Sequence, residues 1–260
     1  MILNRSAALV VAHPGHELRA LGWLRLARPV VYVLTDGSGA MGCSRVPSTK
    51  RVLDETGARC GSIFGRFTDR EVYARLMRAD IKLFIELAEE LTAAFVNERI
   101  EYIVGDASEG YNPTHDVCRL IIDTAIARVR AITGRDIPSY DFTLVGRPDE
   151  CAEDPHAEPL WIHLDEEMLA RKIETARTYP GMADEVEAAI AKFGTDMFRT
   201  ECFRPVAPGP VNDPDSPPLY ETYGKQRVQS GVYAETLRYA QHVKPLVASL
   251  HEWATAGVQP

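Results

Sequence analysis

Ala7-Ala8-Leu9-Val10-Val11-Ala12 is an unbroken apolar run, followed at once by His13-Pro14-Gly15-His16. A short run with no polar alternation marks a strand buried on both faces, as in the middle of a parallel sheet. From Glu17 to Arg28 the apolar residues Leu18, Leu21 and Leu24 recur at helical spacing, and Pro29 stops the helix. A second apolar run, Val30-Val31-Tyr32-Val33-Leu34, comes next and closes on the turn Thr35-Asp36-Gly37-Ser38-Gly39. Strand, helix, strand in so short a span is a βαβ unit, whose crossover is right-handed.

The pattern continues outward from that unit. A helix is expected over residues 48–59, and a long amphipathic one over 79–97, where Ile81, Phe84, Ile85, Ala88, Leu91 and Phe95 share a face. Tyr102-Ile103-Val104 reads as a third buried strand, with a loop from Asp106 to Pro113 and a helix capped by Thr114 running to about Val129. Residues 141–145 read as a strand, and 165–178 and 183–193 as helices parted by Pro180-Gly181. Residues 205–218 are proline-rich, and 232–254 read as a closing amphipathic helix. Trp23 and Phe84 are expected in the core, and Arg51 with Glu55 as an exposed i,i+4 pair. The fold expected is α/β and Rossmann-like: a mainly parallel sheet, helices on both faces and a helical C-terminal extension. The expected layout is a metal-binding catalytic domain over 1–204, with 205–260 packing on that same domain.

With 260 residues, 45% hydrophobic and 25% charged, the chain can build a core without covalent staples. Its formal charge of −8 argues against a general nucleic-acid binder, which carries a basic surface. The five cysteines at 43, 60, 118, 151 and 202 are widely spread and form no C-x-x-C pair. They therefore suggest neither a disulfide framework nor a Cys-rich zinc module, and a reducing, cytoplasmic setting is expected. No apolar run reaches membrane length.

In open parallel sheets, ligands bind beyond the carboxyl ends of the strands where strand order reverses. His13 to Glu17, Thr35 to Gly39 and Asp106 to Asp116 all fall on that edge. Pro14 and Gly15 sharpen the first loop, and H-x-x-H spacing lets His13 and His16 share one ion if the loop turns. His115 approaches from the start of a later helix. Three neutral imidazoles with one open position suit catalytic zinc, or another divalent transition metal. Spacing alone leaves a second reading equally open, in which each ring bonds a loop backbone. His163, His242 and His251, and His156 with them, show no metal-like spacing.

Val10-Val11-Ala12-His13-Pro14-Gly15-His16-Glu17 resembles the A-H-P-D-D-E signature of the PIG-L/LmbE-like zinc-dependent N-acetyl-sugar deacetylases. Leu34-Thr35-Asp36-Gly37 resembles that family's second-strand end, and Gly110-Tyr111-Asn112-Pro113-Thr114-His115 its H-P-D-H motif. The likeness covers roughly the first half of the chain, and more loosely Phe198-Arg199 and Phe203-Arg204-Pro205. It implies a metal at the strand ends, held by His13, His16 and His115, and a small-molecule substrate such as an N-acylated amino sugar.

Four positions depart from the pattern, one of them Thr114, which stands where the H-P-D-H motif has its Asp. The family's general base, the first Asp of the D-D pair, is Gly15 here, and its Asp ligand is His16. The histidine that steadies the oxyanion is Asn112, which can still donate a hydrogen bond. Glu17 and Asp116 are the candidates for protonating a leaving amine, with Glu109 nearby, although carboxylates at helix starts are also favoured by the dipole alone. Gly15, Asp36 and Tyr111 are expected to line the substrate pocket. Three readings follow: amide hydrolysis through an activated water, a metal enzyme repurposed for another carbonyl or anionic substrate, or a silent binding protein that kept the pocket. A dinucleotide binder is disfavoured, since the first turn lacks G-x-G-x-x-G.

Overall fold

The computed structural model describes residues 2–39, 42–149, 151, 158–207 and 216–256. The first apolar run is strand β1 (Ala7–Val11), buried at every residue. Its alternate side chains divide between two cores. Ala8 and Val10 pack with the helices of one face, and Ala7, Leu9 and Val11 with those of the other. This is the period-2 rule acting on a strand with no solvent face. A 3-10 turn (His16–Ala20) and helix α1 (Leu21–Ala27) lead to β2 (Val30–Thr35), which pairs parallel to β1 with Ala8 opposite Val30.

Helix α2 (Val46–Thr56) ends on Gly57, so the helix expected over 48–59 starts two residues early and stops three short. Arg59 instead opens β3 (Arg59–Phe67), an edge strand that the sequence pattern missed. Only Ile63 in it is buried, so it carries no apolar run to read. Helices α3 (Asp69–Met77) and α4 (Ile81–Asn97) precede β4 (Tyr102–Asp106), which lies parallel to β1 on the side opposite β2. Gly105 on β4 is where helix α5 (Pro113–Thr133) presses closest. A Cβ there would meet Ile122 Cδ1 and Val10 O, each at 2.7 Å.

Beyond β4 come β5 (Ser139–Phe142) and β6 (Leu160–His163), then α6 (Glu166–Thr178), α7 (Ala183–Phe193) and β7 (Thr200–Pro205). The sheet order is β3-β2-β1-β4-β5-β7-β6, with the first five strands parallel and β7 antiparallel to both its neighbours. The β1–β4 gap is where the order reverses. The expected α/β architecture is the observed one, with helices on both faces.

The chain's end departs from expectation. Helix α8 (Leu219–Gln229) was unforeseen, and in place of one helix over 232–254 there is a π turn (Tyr239–Val243) leading into α9 (Lys244–Thr255). Leu246 and Leu250 of α9 join the same core as Val117 and Leu120 of α5. Of the proline-rich stretch, 208–215 lies outside the described residues, as does His156. Trp23 and Phe84 are core residues, whereas Glu55 pairs with Arg171 at 3.3 Å rather than with Arg51. Cys151 and Cys202 are joined in a disulfide, with Cα atoms 6.1 Å apart. This pairing was invisible in the spacing because β7 creates it, and it runs against the reducing compartment inferred from the cysteine count. No helix among the described residues is long and apolar enough to cross a membrane.

Candidate metal centre

The three histidines come together at the switch point. Ring centroids lie 5.2 Å apart for His13 and His16, 5.0 Å for His13 and His115, and 4.6 Å for His16 and His115, all edge to face. Two come from the loop after β1, and His115 comes from the first turn of α5. The rings are gathered rather than aimed: among the described residues, no three His, Cys, Asp or Glu side chains already stand as a ligand set.

Two carboxylates orient the rings. His13 Nδ1 lies 2.7 Å from Asp69 Oδ1 and 2.7 Å from Thr35 Oγ1, while the Thr35 hydroxyl donates to Asp69 at 2.6 Å. His16 Nδ1 donates to Asp106 Oδ2 at 2.9 Å, and the same oxygen accepts the Ala12 N–H at 2.7 Å. Both bonds fix the Nδ1–H tautomer and leave Nε2 as the lone-pair atom. The buried His13 Nε2, His115 Nδ1 and Asp106 Oδ1 have no hydrogen-bond partner. Buried polar atoms are almost always paired, so three orphans in one cluster call for a ligand. Carboxylate–histidine pairs are the usual outer support of a metal site. The donor set therefore suits a divalent transition metal.

The electrostatics agree. Burial pushes the His115 imidazole down to about 2, with the His16 ring adding to the effect. Burial also lowers His13, against the opposing pull of Asp69. Neutral rings are the ligating form. Burial alone would raise both carboxylates, but His13 and the Thr35 hydroxyl hold Asp69 well below its ordinary value. His16, His115 and the Ala12 N–H do the same for Asp106.

The remaining expected site residues are placed differently. Glu17 is fully buried beneath the loop, where its Oε2 accepts the Gly15 N–H at 2.7 Å; burial raises its pKa. Asp116 accepts the N–H groups of Glu109 (3.0 Å) and Gly110 (3.1 Å), and Glu109 in turn accepts the Leu144 N–H at 2.8 Å. All three carboxylates brace loops. Asn112, not Thr114, caps α5: its side-chain oxygen accepts the Thr114 N–H at 2.9 Å. Asp36 bonds the Ser38 N–H at 2.9 Å within its own turn, and Tyr111 is 58% exposed at the rim. Gly15 has φ +107°, a backbone that side-chain-bearing residues seldom adopt.

Asp69 and Arg45 are not among the site residues expected from the sequence, and Asp106 enters there only as the first residue of the third edge stretch. Asp69 had a signal: Thr68-Asp69-Arg70-Glu71 is a capping box, with Thr68 and Glu71 bonding reciprocally at the start of α3. Arg45 had none. Its Nε donates to Gly37 O at 2.8 Å, and its Nη1 lies 3.5 Å from where a Gly15 Cβ would stand.

The chain is an α/β protein with a mainly parallel sheet and three histidines gathered at its switch point, two of them held by carboxylates. No protein-family profile and no curated protein matches the sequence. Solved structures do. The A40926 pseudoaglycone deacetylase is similar with TM-score 0.50 and 17% identity, over 80% of this chain and 99% of that one. A bog complex of a deacetylase from teicoplanin biosynthesis (TM-score 0.52) and the zinc-inhibited form of teicoplanin deacetylase (0.51) are each 14% identical, over 81% of this chain and 100% of theirs. The fold is that of the PIG-L/LmbE-like deacetylases.

Proposed function

We propose that this protein is a metal-dependent amide hydrolase that removes an acyl group from a small acylated amine, such as an N-acylated amino sugar. The observation that carries it is the trio of imidazoles gathered at the β1–β4 switch point, with His13 and His115 buried and with His13 and His16 tethered by carboxylates. The fold shared with deacetylases supports the same reading. His13, His16 and His115 would hold the ion. A divalent ion there supplies Lewis acidity toward a carbonyl and makes water nucleophilic near neutral pH.

The chain's own residues do the rest. Asp69 and Asp106 keep the rings in one tautomer and orientation. Asn112 spends its side-chain oxygen on the helix cap, which leaves its amide N–H groups to face a substrate oxygen at the N-terminus of α5. Arg45, beside Gly15 and Gly37, presents its guanidinium to the polar part of the substrate. Glu17 and Asp116 are engaged in bracing loops, so protonation of the leaving amine falls to water or to the substrate itself.

Gly15 favours one other reading. Its positive φ and the nearby Tyr179 and Arg45 leave a bare backbone where the related family keeps its base, which suits a metal site repurposed for another carbonyl or anionic substrate. The test is release of primary amine from a panel of N-acyl amino sugars by zinc-loaded protein. Turnover abolished by chelator and by His115→Ala supports the hydrolase. Ester or lactone hydrolysis alone favours the repurposed site, and tight binding without turnover would sink both.

A further inference from the structure

We propose that Asp106 is the positioning carboxylate of the metal centre: the negative charge that the related family places directly on the ion at position 16 stands here one imidazole further out, behind His16. This rests on the metal-site reading. Asp106 is the last residue of β4 and is wholly buried. Its Oδ2 holds the His16 Nδ1–H and the Ala12 N–H, and its Oδ1 is orphaned. No lysine or arginine pairs with it among the described residues; His16 is its ion-pair partner.

Contrast Glu201, the other fully buried carboxylate with an ion partner among the described residues. It meets Lys172 at 2.7 Å and takes two further bonds, from the Gly22 and Trp23 N–H groups, as a structural anion should. A buried carboxylate whose compensation is one imidazole and one amide is poorly matched as scaffolding. It is well matched to a ring that becomes cationic in character when its other nitrogen binds a metal, because the carboxylate then takes up the increased acidity of Nδ1–H. Asp106 also bonds the backbone just before His13, so one side chain sets both the His16 ring and the path of the loop.

The experiment is a double-mutant cycle read by Co2+ absorption titration of the full chain, without any activity assay. Asp106→Asn should weaken Co2+ binding by about 10- to 100-fold. In a His16→Asp background, where a carboxylate can reach the ion directly, the same Asp106→Asn change should cost nothing or restore affinity, since two facing carboxylates repel. An equal loss in both backgrounds, or no loss in the first, overturns the proposal. Uptake of no Co2+ by the unaltered protein overturns the metal reading itself, a separate outcome. Independently of any variant, imidazole 15N shifts of the metal-free protein should show His16 as the Nδ1–H tautomer; the Nε2–H tautomer overturns it too.

Discussion

His13, two residues past β1, is held through Nδ1 by Asp69, the first residue of α3, at 2.7 Å. The same carboxylate takes the Thr35 hydroxyl and the Gly39 N–H, so one side chain ties the ends of β1, β2 and β3 together. Asp69→Ala should loosen the His13 ring and lower zinc affinity by about tenfold or more. Zinc competition titration reads this. An unchanged dissociation constant would show that the tether has no part in binding.

The metal-free protein should lose stability on mild acidification. His115 titrates near 2 when folded against an ordinary 6.5, so below about pH 6.5 the unfolded chain binds a proton that the native state refuses. Stability therefore falls as pH drops from 6.5 toward 2. Asp69 and Asp106, both depressed, add to the fall only below the ordinary carboxylate value of 3.8. Urea midpoints of chelated protein at pH 7 and pH 5 test this, and His115→Gln should shrink the difference without abolishing it, because burial lowers His13 as well. A midpoint that does not move would contradict the neutral-ring assignment.

Gly15 sits at φ +107°, so Gly15→Ala should destabilise the protein by about 1–2 kcal/mol through backbone strain. Gly15→Asp carries the same strain and brings its Cβ to 3.4 Å from Tyr179 and 3.5 Å from Arg45. It should fail to raise deacylation, because the new carboxylate has no relaxed backbone to stand on. A gain of activity with unchanged denaturation midpoint would refute this.

Lys172 and Glu201 form a fully buried pair 2.7 Å apart that ties α6 to β7 and, through Gly22 and Trp23, to the start of α1. Glu201→Ala strands the ammonium and should cost about 3–5 kcal/mol, whereas Lys172→Met with Glu201→Leu should recover much of that loss. Chemical denaturation of the three variants measures both. If the single change is as mild as the double, the pair contributes no specific support.

The central strands and the helices over 79–97, 165–178 and 183–193 were legible because burial there is complete or regularly one-sided. Strands β3 and β6 were not, since edge strands with few buried side chains leave no periodic trace, and β7 was not because its buried run Glu201-Cys202-Phe203 mixes a carboxylate with apolar residues and shows no alternation. The helix read over 232–254 failed for a related reason: its apolar spacing exists, but Arg238 is extended and the chain before it is irregular.

What the sequence determined alone was the β1-loop-α1-β2 unit and three histidines on one sheet edge; the order of the strands, with its reversal between β1 and β4, came from the tertiary structure. Local apolar runs and turn residues suffice for that, because they act over a few residues. Tertiary structure alone decided which carboxylates stand behind the rings, that Glu17 and Asp116 brace loops instead of facing substrate, and that Cys151 finds Cys202. The ring–carboxylate and cysteine partners lie tens of residues apart in the chain, and only the crossing of β3, β4 and β7 through one sheet brings them within bonding distance; the partners of Glu17 and Asp116 are local, but the fold buries these side chains against their own loops.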